Sequence, residues 1–297
     1  MNWVKTFFLM TLLTVILVFG GGLLFGRGGL VIGLLLGLVM NGAAYFFGDR
    51  LALRAAQAQE VSPQEAPMLH ALADRLAAQY NVPKPRVYVS PDPSPNAFAT
   101  GRNPHHASIC VNQGLLQILD QEEVYGVLAH EFAHVRNRDI LISSVVAVLA
   151  GAITLLAQIG QFGLFFGGGR DEEDQNPLGI IGVLLFVILG PLAALLIQLA
   201  ISRSREYEAD HTGAEVSHDP HALANALRKL QRATQVVPSQ TAQPAFAHLY
   251  LVNPLSGQSL AGLFSTHPPL EERIRRLGRW RTVAADRRTR RPARDTY

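Results

Sequence analysis

The sequence of 297 residues contains little cysteine and little charge. Cys110 is the single cysteine, which excludes an intramolecular disulfide, and nothing indicates an oxidising compartment. Charged residues make up 16% of the chain, against about 25% in an ordinary soluble domain. Because 48% of the residues are hydrophobic, this shortage excludes a disordered chain. The net charge of +3 points to an anionic neighbour, either lipid or nucleic acid.

The shortage of charge is concentrated in apolar stretches. The first apolar stretch, from Phe7 to Phe47, carries one charge, Arg27, and is long enough for two membrane spans of about 20 residues each. A second apolar pair follows, with an acidic turn inside it and Pro191 as an expected kink. A cleaved signal peptide is the alternative for the first span, and a pair of core helices is the alternative for the last two. The sequence therefore predicts four transmembrane helices in two hairpins, over residues 4–25, 29–47, 140–166 and 178–201.

Lysine and arginine near the span ends set the expected orientation. Seven basic residues lie on one side of the predicted hairpins, namely Lys5, Arg50, Arg54, Arg136, Arg138, Arg203 and Arg205. The other side has only Arg27 and Arg170. This positive-inside bias predicts cytoplasmic termini and a cytoplasmic domain between and after the hairpins. The predicted segments are a hairpin (1–48), a first domain part (49–139), a second hairpin (140–201), a second domain part (202–278) and a basic tail (279–297).

Capping and turn signals predict a helix-rich domain with a small sheet. Strands are expected at residues 86–90, 96–100 and 107–111, with turn composition between the last two. The predicted helices run from the capping box Ser62-Pro63-Gln64-Glu65 to Tyr80, from Asp120 through His134 into the membrane, from Asp219-Pro220 to about Arg232, and from His267-Pro268-Pro269 to about Leu277.

The motif His130-Glu131-Phe132-Ala133-His134 indicates metal chemistry. On a helix, residues four apart share one face, so both imidazoles can bind one Zn²⁺. Glu131 lies between them and can take a proton from water activated by the metal. A polar helix face with two unrelated histidines is the alternative interpretation.

A catalytic zinc takes three protein ligands, so another residue must join the two histidines. Glu206 is the strongest candidate, with Asp210 four residues later to hold the other ring nitrogen of a ligand histidine. A solvated, charge-rich helix end is the alternative. Because a hairpin returns the chain to its starting side, the predicted topology places Glu206 on the side of the bilayer where His130 and His134 lie.

Three segments together resemble the HtpX membrane metalloproteases, relatives of the CAAX prenyl proteases and of a mitochondrial inner-membrane quality-control protease. They are residues 130–134, 202–210 and 265–274, which read HEFAH, SRSREYEAD and STHPPLEERI. The resemblance covers nearly the whole chain. It implies that Glu206 is the third zinc ligand in an E-x-x-x-D motif, and that the enzyme removes misfolded membrane proteins from a bacterial inner membrane.

The resemblance also implies an edge strand that binds extended substrate, formed by Asn96, Ala97, Phe98, Ala99 and Thr100. An unfolded polypeptide can pair its backbone with a strand edge with little demand on its side chains. An ordinary internal strand is the alternative. His267 lies in a motif shared with the family and is a candidate stabiliser of the oxyanion, whereas Arg273 is expected to be a salt-bridge partner.

We therefore expect a mainly α membrane protein with a cytoplasmic α+β zincin-like (gluzincin) domain and one Zn²⁺ per chain. The expected reaction is hydrolysis of peptide bonds in misfolded membrane proteins, with Glu131 as general base. A non-catalytic adaptor for unfolded chains and a CAAX-type processing protease are the alternatives. The expected partners are misfolded membrane proteins and the bilayer, and nucleic acid is not expected. The basic tail is either attracted to the anionic cytoplasmic leaflet or a mobile solubilising tail.

Overall fold

The computed structural model describes residues 2–148, 151, 203–237, 239, 242, 244–254 and 268–280. At the N-terminus, helix α1 (Asn2–Ala55) is broken at Gly26, whose φ of 60° and ψ of −144° reverse the chain. The two arms lie so close that a Cβ on Gly33 would be 2.2 Å from the carbonyl oxygen of Leu17. The Asn41 amide donates to the carbonyl oxygen of Met10 at 3.0 Å across the same contact. The predicted first hairpin is therefore present as a pair of tightly packed helices.

The second arm of α1, Gly26–Ala55, is long and apolar enough to cross a membrane, with a mean hydropathy of 2.1. The first arm contains a shorter apolar helix, Thr6–Gly22, and helix α5 (Asp139–Val148) is another. Apart from residues 140–148 and 151, the predicted second hairpin lies outside the described residues. Four spans therefore remain a prediction, as do the segment boundaries drawn from them.

A mixed four-stranded sheet has the order β1-β2-β4-β3. Its strands are β1 (Gln59–Glu60), β2 (Arg86–Ser90), β3 (Ala97–Gly101) and β4 (Ala107–Asn112). β2 and β4 are parallel, with Tyr88 opposite Cys110, and β3 is antiparallel to β4, with Ala99 opposite Ile109. The last three strands agree with their predicted positions to within a residue, and β3 is an edge strand of the sheet.

The helices of the domain pack around α4 (Gln121–Asn137), which is buried along most of its length. α2 (Pro67–Tyr80), α6 (Arg203–Ser217) and α7 (Pro220–Val236) contact it, and β3 lies across it. The remaining helices are α3 (Gln113–Ile118) and α8 (Leu270–Gly278). Two glycines permit this close packing. A Cβ on Gly126 of α4 would lie 2.6 Å from the Leu223 nitrogen, and one on Gly213 of α6 would lie 3.1 Å from the His130 nitrogen.

Two predicted helix bounds are wrong. The Ser62–Glu65 box forms its hydrogen bonds but closes only an isolated turn, and α2 begins at Pro67. Ala66 precedes a proline and has non-helical angles, which separates that turn from the helix. α4 does not continue into the apolar region, because Arg138 adopts a left-handed φ of 59° and α5 begins at Asp139.

Candidate metal centre

Helix α4 presents both motif histidines on one buried face. Its start is fixed by a capping box, in which Asp120 accepts from the Glu123 backbone and Glu123 accepts from the Asp120 backbone. His130 is 1% exposed and the His134 side chain is 15% exposed. The two Nε2 atoms lie 3.1 Å apart. Two nitrogen ligands at about 2.0–2.1 Å from a tetrahedral zinc are separated by about 3.3 Å, so this spacing fits a shared metal ion.

The other ring nitrogen of each histidine faces a carboxylate. Nδ1 of His130 lies 3.0 Å from Asp210 Oδ1, and Nδ1 of His134 lies 3.1 Å from Asp139 Oδ2. A carboxylate accepts a hydrogen bond from the Nδ1–H of each ring, which leaves the Nε2 lone pair for a metal ion. Both rings are thus oriented with their Nε2 atoms toward the same point.

Glu206 of α6 supplies an oxygen at that point. Its carboxylate oxygens lie 3.6 Å from Nε2 of His130 and 3.4 Å from Nε2 of His134. The ligand atoms of His130, His134 and Glu206 all lie within 4.8 Å of one another. Two imidazole nitrogens and one carboxylate oxygen are a donor set that catalytic zinc uses, so the residues present fit this ion.

A fully buried arginine fixes Asp210. The Arg273 guanidinium donates from Nε at 2.8 Å and from Nη2 at 2.7 Å to the two carboxylate oxygens of Asp210. Its Nη1 donates to the carbonyl oxygen of Leu251 at 3.1 Å. Burial opposes the charged form of Asp210, but Arg273 and His130 outweigh it and hold the pKa of that carboxyl below its ordinary value. Arg273 is therefore a salt-bridge partner inside the centre.

Hydrogen bonding also shifts the acid–base properties of His130. Burial opposes its charged form, but hydrogen bonds with Asp210 and Glu206 raise the pKa of the imidazole to about 9. Glu131 is 2% exposed, and burial raises the pKa of its carboxyl. Ala99 of β3 lines the same cleft as Glu131. A buried carboxylate with a raised pKa is a stronger base than an exposed one.

β3 lies at the sheet edge but is buried, and other groups already bond to its outer side. The Leu251 N–H donates to the carbonyl oxygen of Ala97 at 3.0 Å. The Asn96 side chain pairs with the backbone of Val252, accepting from its N–H at 3.1 Å and donating to its carbonyl at 2.6 Å. Phe98 packs edge-to-face against Tyr250, and Thr100 bonds Ser144 of α5 at 3.0 Å. A substrate strand along β3 would have to displace the segment at Leu251 and Val252.

The structure adds three residues to the site that the sequence did not indicate, Asp139, Arg205 and His248. Asp139 faces His134, and Arg205 approaches Asp139 at 3.9 Å. His248 is buried in the wall of the cleft that contains Glu131, His134 and Glu206, with its Nε2 2.9 Å from the carbonyl oxygen of Ser143. The Asp139 carboxylate beside H-E-x-x-H was a usable signal, but nothing in the sequence marks His248. The predicted oxyanion residue His267 lies outside the described residues.

Comparisons with known proteins show what this chain is similar to. Residues 63–281 match the family described as Peptidase family M48. A protein named Protease HtpX homolog from Syntrophobacter fumaroxidans is 52% identical over 92% of this chain and 97% of its own length. A protein with the same name from Pyrococcus abyssi is 50% identical over 93% of this chain and 94% of its own length. The crystal structure of S. mikatae Ste24p is similar with a TM-score of 0.49 and 22% sequence identity. The match covers 83% of this chain and 57% of that protein's chain.

Proposed function

Since the chain belongs to peptidase family M48, we propose that it is a membrane-bound zinc endopeptidase acting on misfolded or damaged membrane proteins. The proposed site faces the cytoplasm at a bacterial inner membrane, in line with the distribution of basic residues around the apolar stretches. The protein names of the curated relatives support the protease activity.

One observation carries the proposal. The Nε2 atoms of His130 and His134 and the carboxylate of Glu206 converge on one point, and separate carboxylates fix both rings from behind. Such outer carboxylates set the tautomer and raise the basicity of a ligand histidine. We assign His130, His134 and Glu206 as the ligands of one zinc ion, with Asp210 and Asp139 as positioning residues.

Glu131 is the proposed general base. A zinc ion at this site supplies Lewis-acid chemistry and lowers the pKa of water to about 7. The Glu131 carboxylate takes a proton from the attacking water and returns it to the leaving nitrogen as the peptide bond breaks. That carboxylate lies in the same cleft as Ala99 of β3. His267 remains the proposed stabiliser of the oxyanion.

Substrate binding is proposed along β3, from Asn96 to Thr100. The Ala97 carbonyl oxygen on the outer side of this strand now accepts from the Leu251 N–H, and the backbone of an extended substrate would take over that bond. Backbone pairing of this kind accepts many sequences, which suits an enzyme that degrades damaged proteins. The adaptor alternative is less favoured because Glu131 and all three ligands are in place, and no observation favours CAAX processing.

The test is cleavage of an unfolded polypeptide such as casein by purified protein loaded with zinc. Glu131→Gln is expected to lower kcat by at least about a thousandfold with the zinc retained, because it removes the base and leaves the ligands. Glu122→Gln is the matched control, an exposed glutamate on the same helix, and is expected to keep full activity. Undiminished cleavage by Glu131→Gln would contradict the mechanism, and no cleavage by the unmodified protein would favour an adaptor.

A further inference from the structure

The membrane hairpin, the edge strand and the helix leaving the metal centre meet at one place, here called the junction. Gly48 of α1 is so close to Ser144 of α5 that a Cβ would lie 3.2 Å from the Ser144 Cβ. The Ser144 hydroxyl lies 3.0 Å from the Thr100 hydroxyl and accepts from the Gly101 N–H at 3.5 Å. The C-terminal end of β3 is thereby fixed against the second arm of α1.

The junction lies at the level where α1 changes from apolar to polar. Phe46 and Phe47 are about half exposed, and Asp49 and Arg50 follow them at once. The guanidinium of Arg50 lies 5.6 Å from the Phe47 ring centre, and that of Arg102, next to β3, lies 5.7 Å from the Phe46 ring centre. The apolar part of a membrane-spanning helix ends at the membrane–water interface, where charged residues follow it. We therefore take the junction as the level of the bilayer boundary.

Two separate paths give the distance from this boundary to the catalytic residues. Along β3, Ala99, which lines the cleft together with Glu131, is two residues from Gly101, or about 7 Å at about 3.3 Å per residue. Along α5, Asp139, which bonds His134, is five residues from Ser144, or about 7.5 Å at 1.5 Å per residue. Beyond Ser144, α5 packs among the helices of the hairpin through Val145, Val146 and Val148.

We infer that the enzyme cuts a membrane-anchored chain in its unfolded juxtamembrane segment, about two to five residues from where the chain leaves the bilayer. This inference rests on the proposed function. An extended chain that leaves the bilayer beside Gly101 and follows β3 reaches Glu131 after about two residues. Its anchor keeps it close to the site, so its effective concentration exceeds that of a free peptide of the same sequence. A bond held far from the boundary by a stiff spacer overshoots Glu131.

The test uses purified enzyme and tethered substrates in vesicles of phosphatidylethanolamine and phosphatidylglycerol. Each substrate has one transmembrane helix, a stiff proline-rich spacer of zero or about 4, 8 or 16 residues, and an unfolded alanine- and leucine-rich segment. Proline-rich spacers extend about 3.1 Å per residue and cannot themselves pair along a strand edge. Both chain polarities are made, and cut positions are read by mass spectrometry.

The substrate without a spacer is expected to be cut two to five residues from its span. Cleavage is expected to fall at least about tenfold once the spacer reaches about 8 residues, because the cleavable segment then starts about 25 Å from the boundary. Equal cleavage at every spacer length would overturn the inference while leaving the protease proposal intact. If neither the tethered substrates nor soluble casein are cut, the proposed function fails, and Glu131→Gln identifies any contaminating protease.

Discussion

The two motif histidines lie one helical turn apart, yet their supports differ in kind. His130 is held by Asp210 of α6, which is locked by Arg273 of α8, and all three side chains are almost fully buried. His134 is held by Asp139, five residues further along the chain, and is partly exposed. The first support requires distant parts of the chain to meet, whereas the second forms as soon as α4 ends at Arg138.

Because the two supports differ, we expect their loss to affect folding stability and zinc binding to different extents. A buried ion pair is costly to break, because the remaining partner keeps an uncompensated charge in a low-dielectric environment. Asp139 is also buried, but its place directly after α4 holds it against His134 without a two-bond arginine, so replacing its carboxylate by an amide is expected to cost less folding free energy. We therefore expect the Arg273 support to determine both folding and zinc affinity, and the Asp139 support to determine zinc affinity alone.

The largest effect is expected for Arg273→Met, which leaves Asp210 charged and buried. The free energy of unfolding is expected to fall by about 3–5 kcal/mol, with loss of bound zinc as the His130 ring loses its orientation. Thermal unfolding in detergent and zinc content measure the two effects. Arg275→Met is the matched control on α8, since Arg275 is exposed, and should cost less than about 1 kcal/mol.

Arg273→Lys tests the same support of His130 with a smaller chemical change. A lysine keeps the positive charge but cannot bond both oxygens of Asp210 at once, so we expect a loss intermediate between those of Arg273→Met and the unmodified protein. If Arg273→Met were as stable as Arg275→Met, the buried support around His130 would have no energetic role.

Asp139→Asn is expected to have the second largest effect. The amide oxygen still accepts from Nδ1 of His134, but the negative charge is lost, so zinc affinity is expected to fall by about 10- to 100-fold. The melting temperature of the metal-free protein should remain close to that of the unmodified protein. Competition with a zinc chelator measures the affinity. A loss of stability as large as that in Arg273→Met would show that the two supports do not differ in the expected way.

The smallest effect is expected for Arg205→Gln. The Arg205 guanidinium approaches Asp139 only to 3.9 Å, too far for a hydrogen bond. Zinc affinity is therefore expected to change by less than about threefold, because no hydrogen bond to Asp139 is lost. Chelator competition beside Asp139→Asn gives the comparison. An effect equal to that of Asp139→Asn would place Arg205 within the support of His134.

Structural features that depend on residues close together in the sequence were predicted from local sequence patterns. The capping box at Asp120 and the four-residue spacing of the histidines predict α4 and the shared face of His130 and His134. Glu206 lies 72 residues beyond His134 and was linked to it through the expected hairpin and the E-x-x-x-D resemblance. The structure brings it within 3.4 Å of His134. Glu206 was a candidate because the chemistry of zinc restricts the third ligand to a few residue types.

Features that depend on backbone reversals were missed. A left-handed arginine at position 138 has no composition signal, so α4 was predicted to continue, and Asp139 was not placed against His134. Ala66 before Pro67 likewise separated the Ser62 turn from α2. Leu251 and Val252 cover β3 through tertiary contacts between parts of the chain that are far apart in sequence, and no local sequence pattern predicts such contacts.

Zinc content of Glu206→Ala beside Glu208→Ala is the most direct test of the central claim, that His130, His134 and Glu206 hold one zinc ion. Glu208 is an exposed glutamate on the same helix, two residues away, so the two variants differ in the proposed ligand and little else. After dialysis against a weak chelator, the unmodified protein and Glu208→Ala should each keep about one zinc per chain, and Glu206→Ala should lose it. Full zinc retention in Glu206→Ala would contradict the proposed centre.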